Sequence, residues 1–146
     1  MTKDVTNKIT LVTGAASGLG RLLAIEFAKK GAILVLWDIQ YELLKETESI
    51  IKQQVPAAQI YLNNVDLSNR DSIYAGCDSI VEQVGPVDIL VNNAGIVSGK
   101  NFLSCPEVLI ERTMAVNVMA HMWLAKKILP HMMEVNSGIY LFILHP

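Results

Sequence analysis

Cysteine and net charge are both scarce in this 146-residue chain, and each scarcity excludes a class of protein. The two cysteines, Cys77 and Cys105, belong to no Cys-x-x-Cys motif or histidine cluster, so neither a disulfide framework nor a zinc site is predicted. We expect two buried or half-buried thiols in a reducing compartment, and no metal. The net charge is −2, and lysine and arginine are scattered among acidic residues, which argues against nucleic-acid binding.

Long apolar segments are also lacking. The longest apolar runs, Ala32–Trp37 and Ile139–Leu144, fall far short of the roughly 18 to 20 residues that a membrane-spanning helix requires. The N-terminal stretch MTKDVTNK has no apolar signal segment. We therefore expect a soluble chain, cytoplasmic as given, without a membrane anchor of its own. The hydrophobic content of 51% is above average and favours strands that are buried on both faces.

Short aliphatic runs alternate with longer stretches of helical spacing. This alternation predicts a parallel sheet covered by helices on both faces, the doubly wound three-layer α/β/α (Rossmann) class, with residues 1–146 forming a single domain. The predicted strands are Ile9–Val12, Ile33–Trp37, Ile60–Leu62, Val87–Val91 and Ile139–Leu144, and the predicted helices are Leu19–Lys30, Tyr41–Gln53, Arg70–Val84 and Pro106–Leu129.

Several residues mark where the predicted helices should begin and end. Ser104 and Glu107 have the Ser-x-x-Glu spacing of a capping box at the start of the fourth helix. Pro130 should end that helix. Gly31 and Gly85 should end the first and third helices.

The stretch TGAASGLG, Thr13–Gly20, joins the first strand to the first helix. Its glycines allow the backbone to approach a ligand closely, and the helix N-terminus offers unpaired N–H groups to an anion, so the turn suits the pyrophosphate of a dinucleotide. The spacing GxxxGxG differs from the generic GxGxxG fingerprint, and glycines also serve plain tight turns.

Asp38 ends the second strand, about twenty residues beyond the glycine-rich turn. A carboxylate there can accept hydrogen bonds from the ribose of adenosine and repels a 2′-phosphate, which indicates NAD rather than NADP as the cofactor. The alternative is a solvated acid that caps the next helix. For Arg21, just past the last glycine, we expect a surface or pyrophosphate-side role.

Three further motifs follow in order: NVDL at residues 64–67, NNAG at residues 92–95 and VNV at residues 116–118. Together with the glycine-rich turn and Asp38, they resemble the short-chain dehydrogenase/reductase family over nearly the whole chain. The resemblance implies an oxidoreductase that transfers hydride between NAD and a substrate. Within the family, the segments LVLWDI, GRLLA and NNAGIVSGK resemble those of one branch, the epidermal retinal dehydrogenases and lipid-droplet 17-beta-hydroxysteroid dehydrogenases. Members of that branch act on lipophilic alcohols and ketones at the endoplasmic reticulum or lipid droplets.

The resemblance also implies roles for individual residues. Asn117 corresponds to the family's active-site asparagine, which helps to hold a water in a proton relay; the alternative is a buried polar group bonded within its own helix. The implied cofactor-binding residues are Gly14, Ser17, Gly18, Leu19, Gly20, Asp38, Asp66, Leu67, Asn93, Ala94 and Gly95.

The family's acid–base residues, a serine and a Tyr-x-x-x-Lys motif, have no convincing match. The serine position falls on His145, for which an incidental role is favoured over acid–base chemistry. Tyr41 and Lys45 match the tyrosine motif, but on the adenine side of the site, where the match is a coincidence of spacing.

Two hypotheses follow. The chain represents either an incomplete copy of an oxidoreductase, about the N-terminal two-thirds of its catalytic domain, or a non-catalytic truncated product that binds cofactor or a partner subunit only. A methyltransferase is disfavoured by NNAG and Asn117. The apolar fifth strand, which in the family has a sixth strand beside it, and the apolar helix Pro106–Leu129 predict a homo-oligomer or aggregation.

Overall fold

The computed structural model describes residues 4–143, which form a five-stranded parallel sheet with helices on both faces. A π-helical turn, Ala115–Met119, joins the last two helices, Glu107–Met114 (α4) and Ala120–Glu134 (α5), into one continuous helix. The elements in chain order are β1 (Ile9–Thr13), α1 (Gly18–Lys29), β2 (Ile33–Asp38), α2 (Tyr41–Gln54), β3 (Ile60–Asn64), α3 (Arg70–Gln83), β4 (Ile89–Asn92), α4 (Glu107–Met114), α5 (Ala120–Glu134) and β5 (Ile139–Phe142).

The strand order is β3-β2-β1-β4-β5, which confirms the predicted doubly wound class. The chain builds outward from β1 through β2 to β3, and then returns to place β4 on the other side of β1. The order therefore reverses between β1 and β4, and such a switch point leaves a crevice at the carboxyl ends of the strands. At that edge, Asp38 is the last residue of β2, Gly14 directly follows β1, and Asn93 directly follows β4.

Alternating side chains of the strands divide the core into two halves. Leu11, Trp37 and Leu90 face the half that is covered by α3 and α5, whereas Val12 and Leu36 face the half under α1 and α2. All five are almost completely shielded from solvent. The central strands are thus buried on both faces, as the high hydrophobic content predicts.

One predicted capping signal and one predicted helix end are wrong. The Ser104 hydroxyl lies in a separate 3₁₀ turn and donates to the carbonyl of Asn101, so α4 begins at Glu107 without a side-chain cap from the described residues. Pro130 lies inside α5 and does not end it. Lys126, whose carbonyl loses its helical partner at Pro130, is exposed, and water can replace the missing N–H.

The glycine signals are confirmed. Gly31 follows the end of α1 with a φ of +77°, and Gly85 follows the end of α3 with a φ of +127°, conformations that favour glycine. The predicted fifth strand is observed as far as Phe142, and its last residue, Leu144, lies outside the described residues. In the described part of the chain, no helix is both long and apolar enough to cross a membrane.

Candidate functional site

A cleft of about 410 Å³ opens at the carboxyl edge of the sheet, at the switch point between β1 and β4. It collects all of the predicted cofactor residues except Gly20. The lining residues are Gly14, Ser17, Gly18, Leu19, Asp38, Ile39, Gln40, Val65, Asp66, Leu67, Asn93, Ala94, Gly95, Ile96, Arg112 and Val116.

The N-terminus of α1 faces this cleft with its donors open. Ser17 is the N-cap residue but forms no capping hydrogen bond within the described chain, and the first turn carries no acidic side chain. The start of α3 is different, because Asn69 accepts hydrogen bonds from two backbone N–H groups there and Asp71 lies in its first turn. The free N–H groups and the partial positive charge at the start of α1 therefore suit an anionic ligand.

Gly18 and Gly20, the second and third glycines of the turn, lie in different surroundings. Gly18 lines the cleft, and a Cβ added to it would meet no other atom within 4 Å. Gly20 is buried behind the turn, where an added Cβ would overlap the carbonyl oxygen of Gly14 and lie 2.5 Å from Asn93 Nδ2. Gly20 does not line the cleft; it allows α1 to approach the backbone that lines the cleft.

The Asp38 carboxylate is fixed in place by two backbone groups. Its Oδ2 accepts a hydrogen bond from the N–H of Ala16 at 3.1 Å, and its Oδ1 accepts one from the N–H of Gln40 at 3.0 Å. The second bond closes a turn two residues long before α2 and is not the helix cap that was the alternative for this residue, because Gln40 is the N-cap of α2 and no described side chain caps the helix. Asp38 makes this contact while it lines the cleft.

The loop after β4 is tied to the glycine-rich turn. Asn93 Nδ2 donates to the carbonyls of Thr13 (2.9 Å) and Gly14 (3.3 Å). The hydroxyl of Thr13 accepts hydrogen bonds from the N–H groups of Asn93 and Ala94, both at 3.1 Å. These bonds bring the NNAG and TGAASGLG motifs together on one side of the cleft.

Asp66, Leu67 and Arg112 line another part of the cleft. The Asp66 carboxylate accepts hydrogen bonds from the hydroxyl of Ser68 at 2.7 Å and from its N–H at 2.9 Å. The Ser68 hydroxyl, helped by the Ser68 N–H and the positive charge of Arg112, holds the pKa of Asp66 below its ordinary value despite partial burial. Among the described residues that line the cleft, Arg112 is the one cationic side chain.

Asn117 lies in the π-helical turn and does not line the cleft. Its Oδ1 accepts a hydrogen bond from the N–H of Ile96, and its Nδ2 donates to the carbonyl of the same residue, each at 2.8 Å. The alternative of a bond within its own helix is therefore wrong. Asn117 holds the loop that follows β4 through one donated and one accepted hydrogen bond.

The other titratable candidates lie away from the cleft lining. Tyr41 is 39% exposed, and Lys45 is bonded to Glu42 at 2.9 Å. His121 is buried, with its Nε2 at 3.3 Å from the carbonyl of Ala94. His145 lies outside the described residues. The lining residues of the described chain include no tyrosine, lysine, histidine or cysteine, and residues 4–143 contain no cluster of histidine, cysteine, aspartate or glutamate placed to hold a metal ion.

Sequence reasoning missed six lining residues. Ile39 and Gln40 directly follow Asp38, Val65 lies within the NVDL motif, and Ile96 directly follows NNAG, so their positions in the chain were a usable signal. Arg112 lies four residues before Val116, which places both on one side of the helix that carries Asn117. The missed residues are Ile39, Gln40, Val65, Ile96, Arg112 and Val116.

A doubly wound parallel sheet, with a glycine-rich turn into α1 and an acidic residue at the end of β2, defines a Rossmann-like fold. The family model described as short chain dehydrogenase matches residues 8–144. The chain therefore belongs to the short-chain dehydrogenase family.

Individual relatives narrow the similarity. The chain is 53% identical over 136 residues to short-chain dehydrogenase/reductase family 16C member 6 of Bos taurus, and 47% identical over 136 residues to epidermal retinol dehydrogenase 2 of Mus musculus. These matches cover 93% of the chain but only 43% and 44% of the relatives. The chain thus spans less than half the length of these curated relatives.

Solved structures share the fold closely. A metagenomic short-chain oxidoreductase in complex with NADP matches with a TM-score of 0.87 at 27% identity, over 94% of this chain and 62% of that one. A 7 alpha-hydroxysteroid dehydrogenase complexed with NADH and 7-oxo glycochenodeoxycholic acid matches with a TM-score of 0.86 at 32% identity, over 95% and 53%. Nicotinamide dinucleotides of both kinds are therefore bound by proteins of this fold.

Proposed function

We propose that this chain forms the cofactor-binding part of a short-chain oxidoreductase and binds NAD in preference to NADP. The observation that carries the proposal is the Asp38 carboxylate, held at the cleft by Ala16 and Gln40. The open N-terminus of α1 would receive the pyrophosphate, and Asp38 would accept hydrogen bonds from the adenosine ribose. Asp66 and Leu67 would flank the adenine, and Asn93, Ala94 and Gly95 would line the rest of the site.

The position of the cations supports the choice between the two cofactors. A 2′-phosphate beside Asp38 would need a neighbouring positive charge, because two negative charges a few ångströms apart repel each other. Arg21 is turned toward α2, where it bonds to Thr47. Arg112 lies near Asp66. The fixed Asp38 carboxylate would therefore repel the 2′-phosphate of NADP, and neither of these arginines is bonded to Asp38 to offset that repulsion.

The test is titration of the purified chain with both cofactors. We expect NAD to bind at least about tenfold more tightly than NADP, a difference of about 1.4 kcal/mol. Asp38→Ala should bring the two affinities within about threefold of each other. Glu82→Ala removes one negative charge from an exposed site near the end of α3 and should leave the preference unchanged. Equal or tighter binding of NADP by the unsubstituted chain would overturn the assignment.

We infer that the complete oxidoreductase acts on a lipophilic alcohol or carbonyl compound, retinoid-like or steroid-like. Relatives of the chain include epidermal retinol dehydrogenase 2 and retinol dehydrogenase 10, and one structural match is a 7 alpha-hydroxysteroid dehydrogenase. Ile96 and Val97, both exposed, supply apolar surface at and beside the cleft. The bound nicotinamide would supply the hydride chemistry, and this chain's own residues would bind and orient it.

A non-catalytic role for the 146-residue chain by itself is the second candidate. It is favoured because the described cleft lining includes no tyrosine, lysine or histidine to exchange a proton with substrate. Proton transfer by a positioned side chain is worth roughly a hundredfold to ten-thousandfold in rate. We therefore expect the chain alone to bind NAD without producing NADH from retinol or a steroid alcohol at the rate of a full-length relative assayed beside it. Comparable turnover that persists in Tyr41→Phe would show that another acid–base group operates.

A further inference from the structure

The glycine-rich turn is supported from behind by α2. Ala15 and Ala16, in the middle of the turn, are completely buried, and so is the side chain of Thr47 beneath them. The hydroxyl oxygen of Thr47 lies 3.1 Å from the carbonyl oxygen of Ala15 and 3.3 Å from that of Ala16. It also lies 3.2 Å from the carbonyl of Leu43, one turn earlier in α2.

Arg21 donates a hydrogen bond to this hydroxyl and so restricts where the hydroxyl proton can point. Its Nε donates to the hydroxyl oxygen of Thr47 at 2.9 Å, and its Nη2 donates to the carbonyl of Ala16. Glu46 lies 3.7 Å from the same guanidinium and balances its charge. Because the Thr47 oxygen accepts a hydrogen bond from Arg21, its single proton is directed at the carbonyls of the turn or of Leu43.

The peptide groups of Ala16 connect this support to the cleft. The Ala16 carbonyl is held by Arg21, while the Ala16 N–H donates to Asp38 Oδ2 at 3.1 Å. Displacement of the turn by a few tenths of an ångström would therefore move the donor that orients the carboxylate. The link runs from Thr47 and Arg21 through Ala16 to Asp38.

We propose that Arg21 and Thr47 are positioning residues of the cofactor site, which hold the glycine-rich turn and, through it, the Asp38 carboxylate in the geometry that receives the dinucleotide. The proposal rests on the proposed function, because it takes NAD as the ligand of the cleft. The expectation that Arg21 has a surface or pyrophosphate-side role is replaced by this one: its guanidinium lies on the α2 side of the turn, bonded to Thr47 and Ala16.

The first test replaces the hydroxyl by a methyl group. Thr47→Val keeps the shape of the side chain and removes both the acceptor for Arg21 and the donor for the turn, so we expect NAD to bind about tenfold more weakly. Thr47→Ser, which keeps the hydroxyl, should restore most of the affinity. Thr10→Val is the matched control: Thr10 is also completely buried, but its hydroxyl bonds to the carbonyl of Lys8 at the other end of β1. It should leave NAD affinity unchanged.

A double-mutant cycle separates positioning from a purely structural role. If Thr47 acts through Asp38, Thr47→Val should weaken NAD binding much less in a chain that already carries Asp38→Ala. An undiminished loss in that background, or equal affinities for Thr47→Val and Thr10→Val, would overturn the proposal. Failure of the unsubstituted chain to bind either dinucleotide would instead overturn the proposed function. If Thr47→Val does not fold, Arg21→Lys can replace it in the cycle with Asp38→Ala. A lysine lacks the planar guanidinium that bonds Thr47 and Ala16 at the same time.

Discussion

At the scale of single residues, the glycines of the turn differ in what their missing side chains permit. Gly18 has a φ of +54° and open space where a Cβ would stand, whereas Gly20 has backbone in that place. A methyl group on Gly18 would intrude on the cleft, but one on Gly20 would push the backbone of Gly14 away. The first glycine therefore lines the cleft without packing against other atoms, and the second permits the packing of α1 against the turn.

This difference predicts two distinct phenotypes. Gly20→Ala should lower the free energy of unfolding by about 1–3 kcal/mol or more, because the overlapping atom belongs to rigid backbone. Gly18→Ala should lower it by no more than the cost of a left-handed alanine, about 1–2 kcal/mol, yet should weaken NAD binding strongly. Chemical denaturation and NAD titration of both variants provide the measurement. An unchanged unfolding midpoint for Gly20→Ala would contradict the close approach between Gly20 and Gly14.

Arg21 and Asp38 illustrate what the sequence could predict at this scale. The location of Asp38 followed from its place at the end of a strand, because the carboxyl ends of parallel strands meet at one edge. The hydrogen-bond partners of Arg21 could not be predicted from its place in the sequence, because its long side chain reaches groups that only the packing of α2 against α1 brings near. Thr47, which carries no motif, was missed for the same reason.

At the scale of elements, most predicted bounds lie within one or two residues of the observed ones, and the one large error is the end of the last helix at Pro130. Each predicted strand overlaps an observed one within two residues, because buried aliphatic runs are set by the core. The capping box at Ser104 was wrong because the Ser104 hydroxyl donates to the nearby carbonyl of Asn101 instead. The end at Pro130 was wrong because the carbonyl that loses its helical partner belongs to the exposed Lys126, where water can replace the N–H.

The π-helical turn was not predicted either, although Asn117 within it was singled out. Hydrophobic spacing indicates a helix and its buried side. One extra residue in a turn rotates the later residues by about 100°, which is no more than the width of the apolar stripe, so the spacing does not reveal the extra residue. The turn matters because π-helical turns occur frequently at functional sites. Here the turn contains the residue that holds both backbone groups of Ile96, at the wall of the cleft.

At the scale of the whole molecule, the two edges of the sheet differ. β3 ends in the polar pair Asn63 and Asn64. Within residues 4–143, β5 pairs only with β4, and its sequence IYLF has no charge or proline. Tyr140, Leu141 and Phe142 are 36–47% exposed. An exposed apolar edge of this kind is a template for pairing with another chain.

A second apolar surface lies on the long helix. Met114 and Met119 are 51% and 37% exposed, Met122 is 57% exposed, and Val81 on α3 is 58% exposed. With a net charge of only −2, the chain has little electrostatic repulsion to oppose association through either surface. The edge of β5 should dominate, because it offers unpaired backbone groups in addition to apolar side chains.

We therefore expect the 146-residue chain to associate with itself at micromolar concentration and to elute well above its monomer mass of 16.1 kDa in size-exclusion chromatography with light scattering. Leu141→Lys, which places a charge on the β5 edge, should shift the population toward monomer. Leu22→Lys is the matched control, because Leu22 is 60% exposed on α1 and belongs to neither surface, and it should leave the population unchanged. Association that survives Leu141→Lys but is abolished by Met122→Lys would assign the contact to the long helix, and a stable, cooperatively unfolding monomer of the unsubstituted chain would contradict association altogether.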